Sequence, residues 1–181
     1  MSIPESKKIK CQDGEVFSIA GIEFIKFPDK DGQTPVVSKD LLFLDIFGKE
    51  NNDLRKSIAL RRMQMEILPQ IIEAVGEDNL CTVVTDLTAL DGLKPYPAAS
   101  GLISLPTFDF YRQHAGIFAR FRPSEWWWLA TPYSAPPNDS SHWVVCVSPS
   151  GCLYGGLCCS LDSGVRPFLI FKSDIFESLS E

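Results

Sequence analysis

The segment from Trp126 to Phe171 constrains the fold more than any other part of this 181-residue chain. Trp126-Trp127-Trp128-Leu129-Ala130-Thr131 combines aromatic and apolar residues in the manner of a strand. A loop rich in Pro, Ser and Asn runs from Pro132 to Ser141, and Trp143-Val144-Val145-Cys146-Val147 reads as a second strand. Ser148-Pro149-Ser150-Gly151 carries turn residues, and Cys152 to Ser160 reads as a third strand in which Gly155-Gly156 marks a bend or bulge. After a turn at Asp162-Ser163-Gly164, Val165 to Phe171 reads as the last strand. Strands this close together in sequence predict an antiparallel meander.

Successive side chains on a strand point to opposite faces, so Trp127 and Trp128 are expected to serve two different layers. Arg166, between Val165 and Pro167, is expected to bond to backbone carbonyls or a carboxylate and lock the corner of the sheet. Trp127, Trp128, Arg166 and Pro167 are therefore read as scaffold.

Upstream, Val16-Phe17-Ser18-Ile19 and Ile22 to Phe27 predict a hairpin turning at Ala20-Gly21. A further turn follows at Pro28 to Gly32, with short extended pieces at Val36-Val37 and Leu41 to Ile46. A helix begins near Asn52-Asp53, where a side-chain oxygen can cap free amides. Leu54, Ile58, Met63, Ile67, Leu68, Ile71, Ile72 and Val75 repeat at helical spacing. Pro69 should kink or divide this helix, and Gly76 should end it. Thr107 to Arg112 reads as a short capped helix. The fold class is α+β: one domain over 1–181, with 1–14 its flexible part and an antiparallel sheet over 123–172. One or two helices come from the N-terminal half.

The C-terminal residues also carry a resemblance. Trp127 to Pro132, a polar loop, Val147 to Gly151, and Gly164-Val165-Arg166-Pro167-Phe168 resemble the WWL-S/T-P, V-x-x-x-G and G-V-R-P signature of the DUF6273-type domains. Gly21 to Phe24 resembles that family's opening strand, and Asp53 to Leu68 its first helix. Tyr111 stands where such proteins often carry a tyrosine ahead of the tryptophans. This chain departs from the pattern in its third tryptophan, in Phe168 and in its cysteines. The resemblance implies a C-type-lectin-like fold and an origin in Firmicutes, their phages or mobile elements.

The search for chemistry turns up little. Cys11, Cys81, Cys146, Cys152, Cys158 and Cys159 read as reduced core thiols, because no export signal precedes them. No C-x-x-C pair is present, and cysteines on strands alternate faces, which argues against zinc. His114 and His142 have no local signature placing them beside a thiol as catalytic partners. Pro136-Pro137-Asn138-Asp139 offers calcium-type oxygen ligands but a single carboxylate. Asp86, Asp91 and Asp109 are scattered, and Gly155-Gly156 does not precede a helix as a phosphate loop would. The expectation is a protein without catalytic activity and without a cofactor. Arg55, Lys56, Arg61 and Arg62 read as a solvated helix face.

A binding surface remains. The resemblance places ligand contacts in the loop after the WWL strand: Tyr133, Ser134, Asn138, Asp139, Ser140 and His142, with Tyr154 nearby. Exposed Tyr, Ser and Asn make adaptable contacts, although the same loop reads equally as a solvated connector. A net charge of −6 argues against direct nucleic-acid binding and suits a basic protein partner. No apolar run reaches membrane-spanning length. The expected function is inhibition of a bacterial defence nuclease in the host cytoplasm, of the anti-CRISPR kind with a Cas9-like target. The alternative is a lectin-like or receptor-binding module for a sugar or cell-surface ligand.

Overall fold

The computed structural model describes residues 8–138, 141–160 and 163–177. Strands β1 (Val16–Ile19), β2 (Ile22–Lys26) and β3 (Gln33–Ser38) lead into β4 (Phe43–Leu44). Helices α1 (Ile58–Arg62) and α2 (Leu68–Val75) follow, then β5 (Leu80–Cys81), β6 (Val83–Thr85) and β7 (Ala99–Gly101). Helices α3 (Phe108–Gln113) and α4 (Ala115–Phe118) precede β8 (Trp126–Pro132), β9 (Trp143–Val147), β10 (Leu153–Leu157), β11 (Ser163–Val165) and β12 (Phe168–Lys172). The class is α+β, as expected.

The strands form two five-stranded sheets and a small ribbon. The first sheet has the order β1-β2-β3-β12-β5, the second β10-β9-β8-β11-β4, and β6 pairs with β7. The β1–β2 hairpin turns at Ala20 and Gly21, both at positive φ, a turn whose twist matches that of the paired strands.

The meander expected over the C-terminal region is only partly present. β8, β9 and β10 run antiparallel in order, but the strand expected from Val165 to Phe171 is divided between the sheets. β11 lies parallel to β8, with Ser163 opposite Trp126, while β12 inserts between β3 and β5 of the other sheet. Pro167 has no amide to donate, so the ladder stops there. Arg166 turns inward instead: its Nε donates to the Ser38 carbonyl at 2.8 Å and its Nη2 to the Lys39 carbonyl at 2.9 Å. The expected corner lock is therefore present, and it joins the two sheets.

Two smaller expectations are also corrected. Gly155-Gly156 forms no bulge, since β10 pairs with β9 without a break; the irregularity lies in β8 between Trp128 and Pro132. The third strand ends at Leu157, where the Leu157 carbonyl accepts from Ser160 N and closes a turn. Cys159 falls beyond that strand end, Cys152 lies just before its start, and both are exposed rather than core. Cys11, Cys146 and Cys158 are buried, Cys81 is half-buried, and all six are free.

The helical region follows its caps. Asp53 accepts from Arg55 N on a short turn, and Ser57 Oγ accepts from Leu60 N to start α1. A π-helical turn, Met63–Ile67, separates α1 from α2, and Pro69 sits in the first turn of α2 where a missing amide costs nothing. Pro69 thus divides the helix, as expected. At the N-terminal end, Ile9 N donates to the Ile175 carbonyl and Cys11 is buried, so the stretch expected to be flexible is tied down from Ile9 onward.

Trp127 and Trp128 separate two cores. Trp128 packs with Phe47, Val144 and Cys146, and its Nε1 donates to the Asp45 carbonyl at 3.0 Å. Trp127 packs with Phe118, Val145 and Val147, and the Arg166 guanidinium lies 4.7 Å from its ring. Burial pushes the Arg166 pKa down to about 10, partly opposed by the charge of Asp40. Among the described residues, no helix is long and apolar enough to cross a membrane.

Candidate functional site at the edge of the second sheet

Among the described residues, β10 ends the second sheet and is paired on one side only, by β9. Its alternation should bury every second residue, yet Leu153, Tyr154 and Leu157 are all exposed, Tyr154 by 51%. The cross-strand row Trp128–Cys146–Tyr154 shows why. Trp128 and Cys146 belong to the core shared with Phe47, Leu54 and Ala59, with Phe47 and the Asp45 carbonyl against Trp128, whereas Tyr154 extends past that cover. Its ring meets Trp126 edge to face at 5.0 Å. Trp126, Trp143, Tyr154 and Leu157 line a groove of about 330 Å³ beside it.

Two glycines let rings approach this strand from both faces. A Cβ on Gly155 would sit 3.0 Å from the Tyr133 ring, and one on Gly156 only 2.8 Å from Trp128. Any side chain there would displace an aromatic ring, so glycine is required by close approach.

The loop leading to this edge is held at both ends. Buried Asn52 donates from Nδ2 to the Ser134 carbonyl at 3.0 Å and the Trp143 carbonyl at 2.8 Å, and accepts from the Tyr96 hydroxyl. Asp91 Oδ2 accepts from Ala135 N at 3.0 Å and from Asn138 Nδ2 at 3.2 Å. Burial raises the Asp91 carboxyl, but donation by Leu93, Ala135 and Asn138 outweighs it and holds the group below the usual carboxylate range. The Pro136–Pro137 peptide is cis.

The residues singled out from the sequence fall into four groups. Tyr133 (42% exposed) and Tyr154 are both exposed at β10 but on opposite faces of it, Tyr133 over Gly155 and Tyr154 beside Trp126, and His142 is exposed at the foot of β9. Ser134 is buried, and Asn138 is exposed but engaged with Asp91. Asp139 and Ser140 lie outside the described residues. Trp127, Trp128 and Arg166 are fully buried, the positions of scaffold.

Sequence reasoning missed Trp126, Leu153 and Leu157. A usable signal was present: from Trp126 to Val165 the only charged residues are Asp139 and Asp162.

Several titratable groups elsewhere are engaged or insulated. Burial pushes the Cys11 and Cys146 thiols up to about 11, Cys11 with help from Glu15, which disfavours the thiolate a nucleophile needs. His114 packs edge-on against Phe27 and at a tilt against Phe110, and burial lowers its pKa. Among the described residues, no group of three His, Cys, Asp or Glu could hold a metal ion. The basic helix face is divided: Arg55 pairs with Asp53, and Arg62 with Asp45 and Glu66. Lys56 and Arg61 line a separate surface cleft with Lys49.

Comparison of the chain with family models, with curated proteins and with solved structures gives no match.

Proposed function

We propose that this chain is a non-catalytic protein-binding module of C-type-lectin-like fold whose contact surface is the aromatic edge formed by Trp126, Tyr133 and Tyr154 with Leu153 and Leu157. The observation that carries this reading is the exposure of Leu153, Tyr154 and Leu157 on one strand, beside exposed Tyr133 and half-buried Trp126, next to the well-buried β8 and β9. Clustered exposed apolar surface marks interaction sites. Tyr and Trp contribute the most energy at such sites, because they bring large contact area at low entropic cost.

The most concrete form is an inhibitor of a bacterial defence nuclease of the guide-RNA-loaded, Cas9-like kind, acting in the cytoplasm of the host cell. Two features support it: the tail resembles phage and mobile-element domains, and a net charge of −6 suits the positively charged channel of such a nuclease. The test is a pull-down against a panel of guide-loaded nucleases, followed by a cleavage assay. Binding at micromolar concentration or tighter is expected, lost in the double variant Trp126→Ala/Tyr154→Ala. No binding across the panel would reject the nuclease target.

The groove between Trp126 and Tyr154 favours one other reading. Aromatic walls around about 330 Å³ suit a sugar ring stacked on one face. A glycan array with and without calcium tests it, and a blank array would end it.

A further inference from the structure

We infer that the outer edge of β10 pairs antiparallel with β10 of a second copy of this chain, joining the two second sheets into one. This pairing uses the backbone edge, so it holds whether or not the rings on the strand's faces take a nuclease.

Backbone geometry identifies the free groups. Ser148 N donates to the Cys152 carbonyl and Cys158 N to the His142 carbonyl, one bond on each side of β10. Antiparallel alternation between those bonds turns the backbone of Tyr154 and Gly156 toward β9 and that of Leu153, Gly155 and Leu157 outward. The Leu157 carbonyl is already taken by Ser160 N, so Leu157 offers only its N–H to a partner strand. Among the described residues, no strand meets those outward groups.

Exposed edges are ordinarily protected by lysine, proline, a bulge or extreme shortness. Of the other ends of the two five-stranded sheets, β4 and β5 are two residues each, and β1, itself four residues without charge or proline, is flanked by Asp13 and Glu15. β10 is longer, unbroken in register, and contains neither charge nor proline.

Charge and symmetry select the occupant. Each copy carries a net charge of −6, so two copies repel wherever their carboxylates face one another. The stretch from Trp126 to Val165, with only Asp139 and Asp162 charged, is where they can meet without that penalty. A two-fold contact also needs a self-complementary surface. Centred on Gly155, the antiparallel register sets Leu153 against Leu157 of the second copy, and Tyr154 against Gly156 of the second copy. Gly155 exchanges both backbone bonds with Gly155 of the second copy, and the Leu157 N–H reaches the carbonyl of Leu153 of the second copy. The two-fold axis lies normal to the sheet, so both Trp126–Tyr154 grooves face the same side and the doubled molecule presents them together.

Sedimentation equilibrium of the full chain, up to about 100 μM and so well above the micromolar range, tests the pairing. The apparent mass should double as concentration rises. In Leu153→Lys/Leu157→Lys, lysines face lysines across the two-fold axis and the mass should stay that of one chain. In Leu153→Lys/Leu157→Glu, each lysine faces a glutamate of the other copy and doubling should return. A wild-type chain that stays single at about 100 μM, or a lysine pair that doubles as the wild type does, overturns the pairing. Should the variants fail to fold, hydrogen exchange of the wild type decides: the Gly155 and Leu157 amides must slow as concentration rises, and unchanged rates overturn it.

Discussion

The two sheets contain the same number of strands and finish in opposite ways. The first places β12, the last strand of the chain, in its interior and leaves a two-residue strand and a charge-flanked hairpin at its ends. The second finishes on one side with β10, uncharged and fully extended, with rings on both faces. The difference is one of cover rather than of strand composition. Trp128, Cys146 and Tyr154 stand in one cross-strand row, and their exposures of 0%, 3% and 51% trace the point where the overlying layer stops. A residue's contribution to stability should fall steeply along that row, while its contribution to recognition should rise.

Trp128→Ala should have the largest effect. It empties a fully buried site against Phe47 and removes the bond to the Asp45 carbonyl, and should cost about 3–5 kcal/mol by urea denaturation. Tyr154→Ala, two strands away in the same row, should change stability by less than about 0.5 kcal/mol. Equal losses at the two positions would break the comparison.

Arg166→Met comes next. It keeps the length of the side chain but leaves the Ser38 and Lys39 carbonyls without their donor at the point where the chain passes from one sheet to the other. A loss of about 1–3 kcal/mol is expected from the unsatisfied acceptors, read as a lower denaturation midpoint. A variant as stable as the wild type would show that the corner does not depend on those bonds.

The smallest effect concerns His114. Folding lowers its pKa below the ordinary value of 6.5, so as pH falls through that value the unfolded chain takes up the proton first and stability is lost. His114→Phe, which keeps a ring against Phe27 and Phe110, should flatten the decline in melting temperature between about pH 7 and about pH 5. An unchanged slope would assign the acid sensitivity to other groups.

Local rules made much of the fold legible. Ala20-Gly21 announced its hairpin, Pro69 divided its helix, and the adjacent tryptophans had to face two layers. The exchange of sheets at Pro167 was not legible as a topology. A proline shows that a ladder stops, but which strand receives the chain next depends on β3 and β5, far away in sequence. The candidate site divided along the same line. Tyr133 and Tyr154 could be named from residue type, whereas the burial of Ser134 depends on how the loop is held by Asn52 and Asp91, neither of which lies near it in sequence. The exposure of Leu153 and Leu157 was not legible, because alternation alone does not reveal that a strand is the outermost one.

Amide hydrogen exchange along β10 in dilute protein tests the open edge most directly. The amides of Tyr154 and Gly156, directed at β9, should be protected, and the amide of Gly155 between them should exchange at a rate close to that of an unstructured chain. A Gly155 amide as slow as its two neighbours would mean that something already covers this edge, and the account of β10 as the exposed contact strand would be wrong.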